Sequence, residues 1–83
     1  MGNKIRQVIE GKGIKISHVI LETGLAKSYF YDVMNGTSIP SLRNARLISK
    51  AIAVSLDELF PDETLIDEYA DKIMSQRKGE DKA

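Results

Sequence analysis

Glycine and proline cut this chain into pieces too short for long helices, and that punctuation constrains the fold more than any other feature. Gly11 and Gly13, Gly24, Gly36, Pro40 and Pro61 separate stretches whose apolar residues recur at i, i+3 and i+4. Such spacing places apolar side chains on one helix face. No stretch keeps the two-residue alternation of a strand for long. Ile5, Val8 and Ile9 predict a first helix, closed by Gly11 and Gly13. A second runs from about Ile16 to Thr23, with Val19, Ile20 and Thr23 on one side, and Gly24 follows where a helix end turns left-handed. A third runs from about Lys27 to Asn35 and ends at Gly36. Asn35-Gly36 follows the helical pattern Phe30, Val33, Met34, so it reads as a helix end and not as a hairpin turn.

Pro40-Ser41 opens a fourth helix, which Ser41 can cap and in which Leu42, Ala45, Ile48 and Ile52 form the buried stripe. Ser55-Leu56-Asp57-Glu58 has the form of a capping box and begins a short fifth helix, anchored by Leu59 and Phe60 and stopped by Pro61. From Asp62 a sixth helix is expected to about Arg77, with Leu65, Ile66, Tyr69, Ala70, Ile73 and Met74 on one face, before a charged, frayed tail at 78–83. The apolar stripe of this helix either folds back on its own domain or pairs with a second copy; Leu65, Ile66, Tyr69 and Ile73 are the candidate dimer residues. The fold class expected is all-α: a compact helical domain over 1–61 and a C-terminal amphipathic helix and tail over 62–83.

Size and composition narrow the function. With 83 residues the chain fits one domain and has no room for a deep cleft between lobes. The absence of cysteine excludes disulfides, thiolate zinc sites and cysteine nucleophiles. No stretch reaches the roughly 18 apolar residues of a membrane span, and the polar N-terminus does not read as a signal peptide. The expectation is a soluble, cytoplasmic protein with no membrane partner, no metal and no cofactor. Net charge is zero, but it is segregated. Residues 1–50 hold eight basic and three acidic residues, a net of +5, and residues 51–83 hold four basic and nine acidic, a net of −5. Such a split suits one face meeting a polyanion while the other is kept off it.

The functional unit is the pair of short helices around Gly24. A glycine-containing turn, Gly24-Leu25-Ala26, sets two helices at a steep angle, with Leu25 plugging the junction from inside. Phe30 and Val33 then face the core, and Lys27, Ser28, Tyr29, Tyr31 and Asp32 face outward. Those side chains suit the edges of base pairs: lysine donates to guanine, serine pairs with several bases and aspartate accepts from cytosine.

These pieces together resemble a Cro/cI-type (XRE family) helix-turn-helix domain, the group of the phage repressors. The resemblance spans about Asn3 to Pro61 and rests on Gly24-Leu25-Ala26, Asn35-Gly36, Ile39-Pro40-Ser41-Leu42 and Val54-Ser55-Leu56-Asp57-Glu58-Leu59-Phe60. The run Ala26-Lys27-Ser28-Tyr29 is similar to the recognition helices of SinR-like bacterial repressors. The resemblance implies a five-helix domain whose third helix enters the major groove of double-stranded DNA, with a homodimer on a two-fold operator and half-sites about 34–36 Å apart. By position it implies that Lys27, Ser28, Tyr29, Tyr31 and Asp32 read bases. Phosphate contacts are implied for Lys15, Ile16 and Ser17 at the start of the second helix and for Thr37, Ser38 and Arg43 near the fourth.

Three departures stand out. Ile16 replaces a residue that is often polar in the family. Ile9 and Met34 stand where the family often pairs an arginine with a glutamate, so an apolar contact is expected in place of the ion pair. Ile20 stands where a small residue is preferred, which predicts a slightly different angle between the second and third helices.

The remaining features read as structure. His18, the only histidine, has no nucleophile or ligand set around it in sequence and reads as solvated. Asp57-Glu58, Asp62-Glu63 and Asp67-Glu68 are adjacent pairs that diverge by about 100° on a helix, so they solvate it and do not converge as catalytic dyads. Gly11-Lys12-Gly13 lacks the spacing of a phosphate loop. An enzyme is not expected. The expected function is a sequence-specific transcriptional regulator, a repressor. The alternative is a protein-interaction module on the same fold, an antitoxin or anti-regulator with weak or no DNA binding, for which Ile16, the acidic C-terminal half and the sixth helix speak; Ile16, Leu21 and Leu47 lie outside the main stripes and would form a patch for a protein partner.

Overall fold

The computed structural model describes residues 2–62 and 65–67. Within them the chain forms α1 (Ile5–Lys12), α2 (Ile16–Thr23), α3 (Lys27–Asn35), α4 (Leu42–Ile52) and α5 (Leu56–Leu59). No strand occurs among the described residues, and the all-α expectation holds. Isolated helices shorter than about 12–15 residues are marginal in water, so these helices depend on burying one face. Ile5 and Ile9, Val19, the Phe30–Val33–Met34 face, Ala45–Ile48–Ile52, and Leu59–Phe60 meet in one core. Each large member removed from water contributes about 1.5–3 kcal/mol. Ile9 and Met34 are both buried there, as an apolar replacement of an ion pair requires.

Helix ends follow the local chemistry. Gly13, Gly24 and Gly36 close α1, α2 and α3 with positive φ. Ser41 and Ser55 accept from the amides of Asn44 and Glu58 and cap α4 and α5. The N-terminal segment is held by a side chain that the periodicity did not flag. Asn3 Oδ1 accepts from the Ile5 amide at 3.0 Å, while its Nδ2 donates to the Val33 carbonyl at 2.7 Å. Arg6 donates to Asn35 Oδ1 at 2.8 Å, and the Lys4 amide donates to the Leu59 carbonyl at 2.8 Å. The start of α1 is thereby tied both to the end of α3 and to α5.

The expected sixth helix needs correction at its start. The Leu65 amide donates to the Asp62 carbonyl at 2.9 Å, and the Asp67 amide donates to the Pro40 carbonyl at 2.7 Å. Asp67 thus forms an isolated parallel bridge with Ser41 and is not helical. Leu65 and Ile66 are half-buried and pack against the domain's own core. Tyr69, Ala70, Ile73, Met74 and the tail lie outside the described residues. No helix among the described residues is long and apolar enough to cross a membrane.

Candidate nucleic-acid interface

The turn between α2 and α3 is built by three residues with different tasks. Gly24 takes φ 75°, ψ 8°, and its amide donates to the Ile20 carbonyl at 3.1 Å. Thr23 is buried; its hydroxyl donates to the Ile20 carbonyl at 2.9 Å and accepts from the Leu25 amide at 3.2 Å. One hydroxyl therefore adds a second donor to the Ile20 carbonyl, which the Gly24 amide already meets, and gives the Leu25 amide of the turn its acceptor. Leu25 is half-buried against the core, the plug expected at this junction. Ala26 is extended and its carbonyl accepts from the Phe30 amide at 2.9 Å, which starts α3.

From that start the residues of α3 divide into buried, half-buried and exposed sets. Phe30, Val33 and Met34 are buried. Lys27, Ser28 and Asp32 are exposed and share the outer side of the helix. Tyr29 and Tyr31, expected to point outward with them, are half-buried and pack against the core. Their large rings reach past the helix surface to neighbouring groups, Tyr31 to Phe30 and Tyr29 to Asn44. Tyr31 meets Phe30 edge to face, with ring centroids 6.5 Å apart. The Tyr29 hydroxyl accepts a hydrogen bond from Asn44 Nδ2 at 3.0 Å, so its oxygen sits at the junction with α4.

The residues expected near phosphates fall into two groups. Lys15, extended just ahead of α2, and Ser17 in its first turn are exposed. Ile16 is half-buried against the core, which corrects the reading of this residue as an exposed apolar; only its backbone amide remains relevant to an anion. In the second group, the amides of Thr37 and Ser38 and the Thr37 hydroxyl all donate to the Asp32 carbonyl, at 2.9, 3.1 and 3.0 Å. Those donors close the end of α3, and in this rotamer Thr37 has no hydrogen left for a phosphate. Ser38 is half-buried and Arg43 is exposed. Beyond them, Arg43, Arg46 and Lys50 repeat at helical spacing on α4 and, with Leu42 and Leu47, line a shallow depression. The sequence reading omitted Arg46 and Lys50 from the anion-facing set, although their i, i+3, i+7 spacing with Arg43 was visible. Asn44 was also missed, because its partner lies 15 residues away.

Among the described residues no group of three His, Asp or Glu side chains could hold a metal ion. His18 is exposed. The described residues thus present exposed hydrogen-bond donors and cations along α2, α3 and α4.

The chain is similar to the HTH-type transcriptional regulator SlrR of Bacillus subtilis (strain 168), with 33% identity over 67 residues. The match covers 80% of this chain and 44% of that regulator, so the chain spans less than half the length of the curated relative it matches. No family model matches the chain. No solved structure matches it.

Proposed function

We propose that this protein is a sequence-specific DNA-binding transcriptional regulator of the Cro/cI type that inserts α3 into the major groove. The observation carrying this reading is the face of α3 that leaves Lys27, Ser28 and Asp32 exposed immediately after a Thr23–Gly24–Leu25 turn fastened by side-chain and backbone bonds. Likeness to a regulator named for its helix-turn-helix supports it. Lys27 and Ser28 sit in the first turn of α3 and read base edges; Asp32, one turn later, accepts from cytosine. Tyr29 and Tyr31 act from the flanks of the same helix. Lys15, Ser17 and the amide of Ile16 meet one phosphate run, and Ser38 and Arg43 lie along another, with Thr37 closing the end of α3 beside them. Repression follows when α3 occupies an operator that a polymerase must use, and a homodimer on a two-fold site doubles the contact area.

The test is a gel-shift comparison on a duplex selected by the parent protein and on an unrelated duplex. Lys27→Ala and Ser28→Ala each weaken binding to the selected duplex more than to the unrelated one, because bidentate or base-edge contacts carry about 1–3 kcal/mol of discrimination. If both variants keep the parent's preference, α3 is not the reading element. Leu21, 80% exposed, and Ile39, 57% exposed, favour a second reading, a protein-interaction module on the same fold. Co-purification of a partner without duplex binding at low salt is the result that supports it.

A further inference from the structure

The hydrogen bond between Asn44 and Tyr29 joins the first turn of α4 to the first turn of α3, and its direction is informative. Asn44 Nδ2 donates and the tyrosine oxygen accepts. A phenol that accepts from a neighbour retains its own hydrogen for another acceptor. The Tyr29 ring is half-buried and packs against the core, so the hydroxyl is held in place from both ends. Lys27 on α3 and Arg43 on α4, both exposed, flank the same junction in sequence.

We propose that Asn44 is a positioning residue for DNA binding: it holds the Tyr29 hydroxyl so that the phenolic hydrogen is donated to a non-bridging phosphate oxygen of the duplex. The inference rests on the regulator reading above and specifies how α3 and α4 grip the backbone together. A phosphate contact positions without carrying sequence information. Its loss therefore lowers affinity for every duplex by a similar factor and leaves sequence preference intact. A purely structural latch behaves differently: releasing it would let α3 move and would erode preference first. A neutral phenol also displaces no counterion, so the salt dependence of binding stays at the parent's slope.

The experiment is a double-mutant cycle on the full chain, read by fluorescence anisotropy on a selected and an unrelated duplex, with thermal melts by far-UV circular dichroism. Tyr29→Phe removes the hydroxyl. Asn44→Asp keeps a hydrogen bond to Tyr29 but reverses it, so the phenolic hydrogen turns inward to the carboxylate. Asn44→Ala, which leaves the hydroxyl unpositioned, is the second variant should Asn44→Asp melt early. Tyr29→Phe is expected to weaken both duplexes about ten-fold, the lower range for a hydrogen bond to a charged acceptor. Asn44→Asp is expected to cost about ten-fold more in the parent than in the Tyr29→Phe background, a comparison that cancels the effect of the new charge itself. Parent binding with an unaffected Tyr29→Phe, equal Asn44 effects in both backgrounds, or a selective loss of sequence preference overturns the inference while leaving the regulator reading standing. A parent that binds no duplex at low salt overturns the regulator reading and this inference with it.

Discussion

Ala53 closes α4 in the left-handed region at φ 64°, ψ 43°, a conformation that the other left-handed helix ends of this protein give to glycine. Its amide and that of Val54 both donate to the Ser49 carbonyl, at 2.9 and 3.1 Å, and the Ser49 hydroxyl donates to the Val54 carbonyl. The local bonds therefore hold the backbone there in spite of the methyl group. A Cβ in this region costs about 1–2 kcal/mol through its approach to the following carbonyl. Ala53→Gly relieves that cost, but glycine adds about 0.4–1 kcal/mol of unfolded-chain entropy. The net expectation is a stabilisation of about 0.5–1 kcal/mol. For a domain of this size each kcal/mol moves the midpoint by about 4–8 °C, so Tm rises by about 2–8 °C. Thermal unfolding followed by far-UV circular dichroism measures it. Gly24→Ala is the opposite perturbation. Nothing lies within 4 Å of the Cβ it would add, so its cost is purely conformational: about 1–2 kcal/mol of backbone strain less about 0.4–1 kcal/mol of unfolded-chain entropy that alanine removes, a net destabilisation of about 0.5–1 kcal/mol. An unchanged or lowered Tm for Ala53→Gly, with Gly24→Ala neutral, refutes the reasoning.

Three further outcomes follow from named contacts. Thr23→Val keeps the volume but strips the buried hydroxyl from the Ile20 carbonyl and the Leu25 amide, and is expected to cost about 1–3 kcal/mol in chemical denaturation. Asn3→Ala frees the start of α1 from Val33 and is expected to cost about 1–2 kcal/mol, seen as a lower denaturation midpoint with an unchanged slope. Phe30→Ala empties a fully buried position and costs about 3–5 kcal/mol, a large part of the stability of a domain this small, so its melting transition broadens or disappears.

Helix limits were legible where the signal is local. Gly24, Gly36, Ser41 and Ser55 act within a few residues of themselves, and each ends or caps the helix expected of it. Ala53 gave no such signal, because its left-handed backbone is imposed by Ser49 and not by its own side chain. Asn3 and Asn44 were silent for a related reason: their partners, Val33 and Tyr29, are distant in sequence and only the packed helices bring them near. Periodicity placed Ile16 outside the stripes, yet the first turn of α2 lies close enough to the core for it to pack there. At Leu65–Asp67 a helical pattern met a stronger competitor, since the Pro40 carbonyl accepts the Asp67 amide and bends the chain onto α4's start. The exposed set Lys27, Ser28 and Asp32 was readable from the inward positions of Phe30 and Val33; the half-buried state of Tyr29 and Tyr31 depended on neighbours that periodicity does not describe.

Selection of bound sites from random duplex DNA tests the central claim most directly. The predicted result is enrichment of one short motif, repeated about a two-fold axis with centres one helical turn or a multiple of about 34–36 Å apart, and its loss when selection is repeated with Lys27→Ala. No enriched motif at low salt, with a folded parent protein, contradicts the claim.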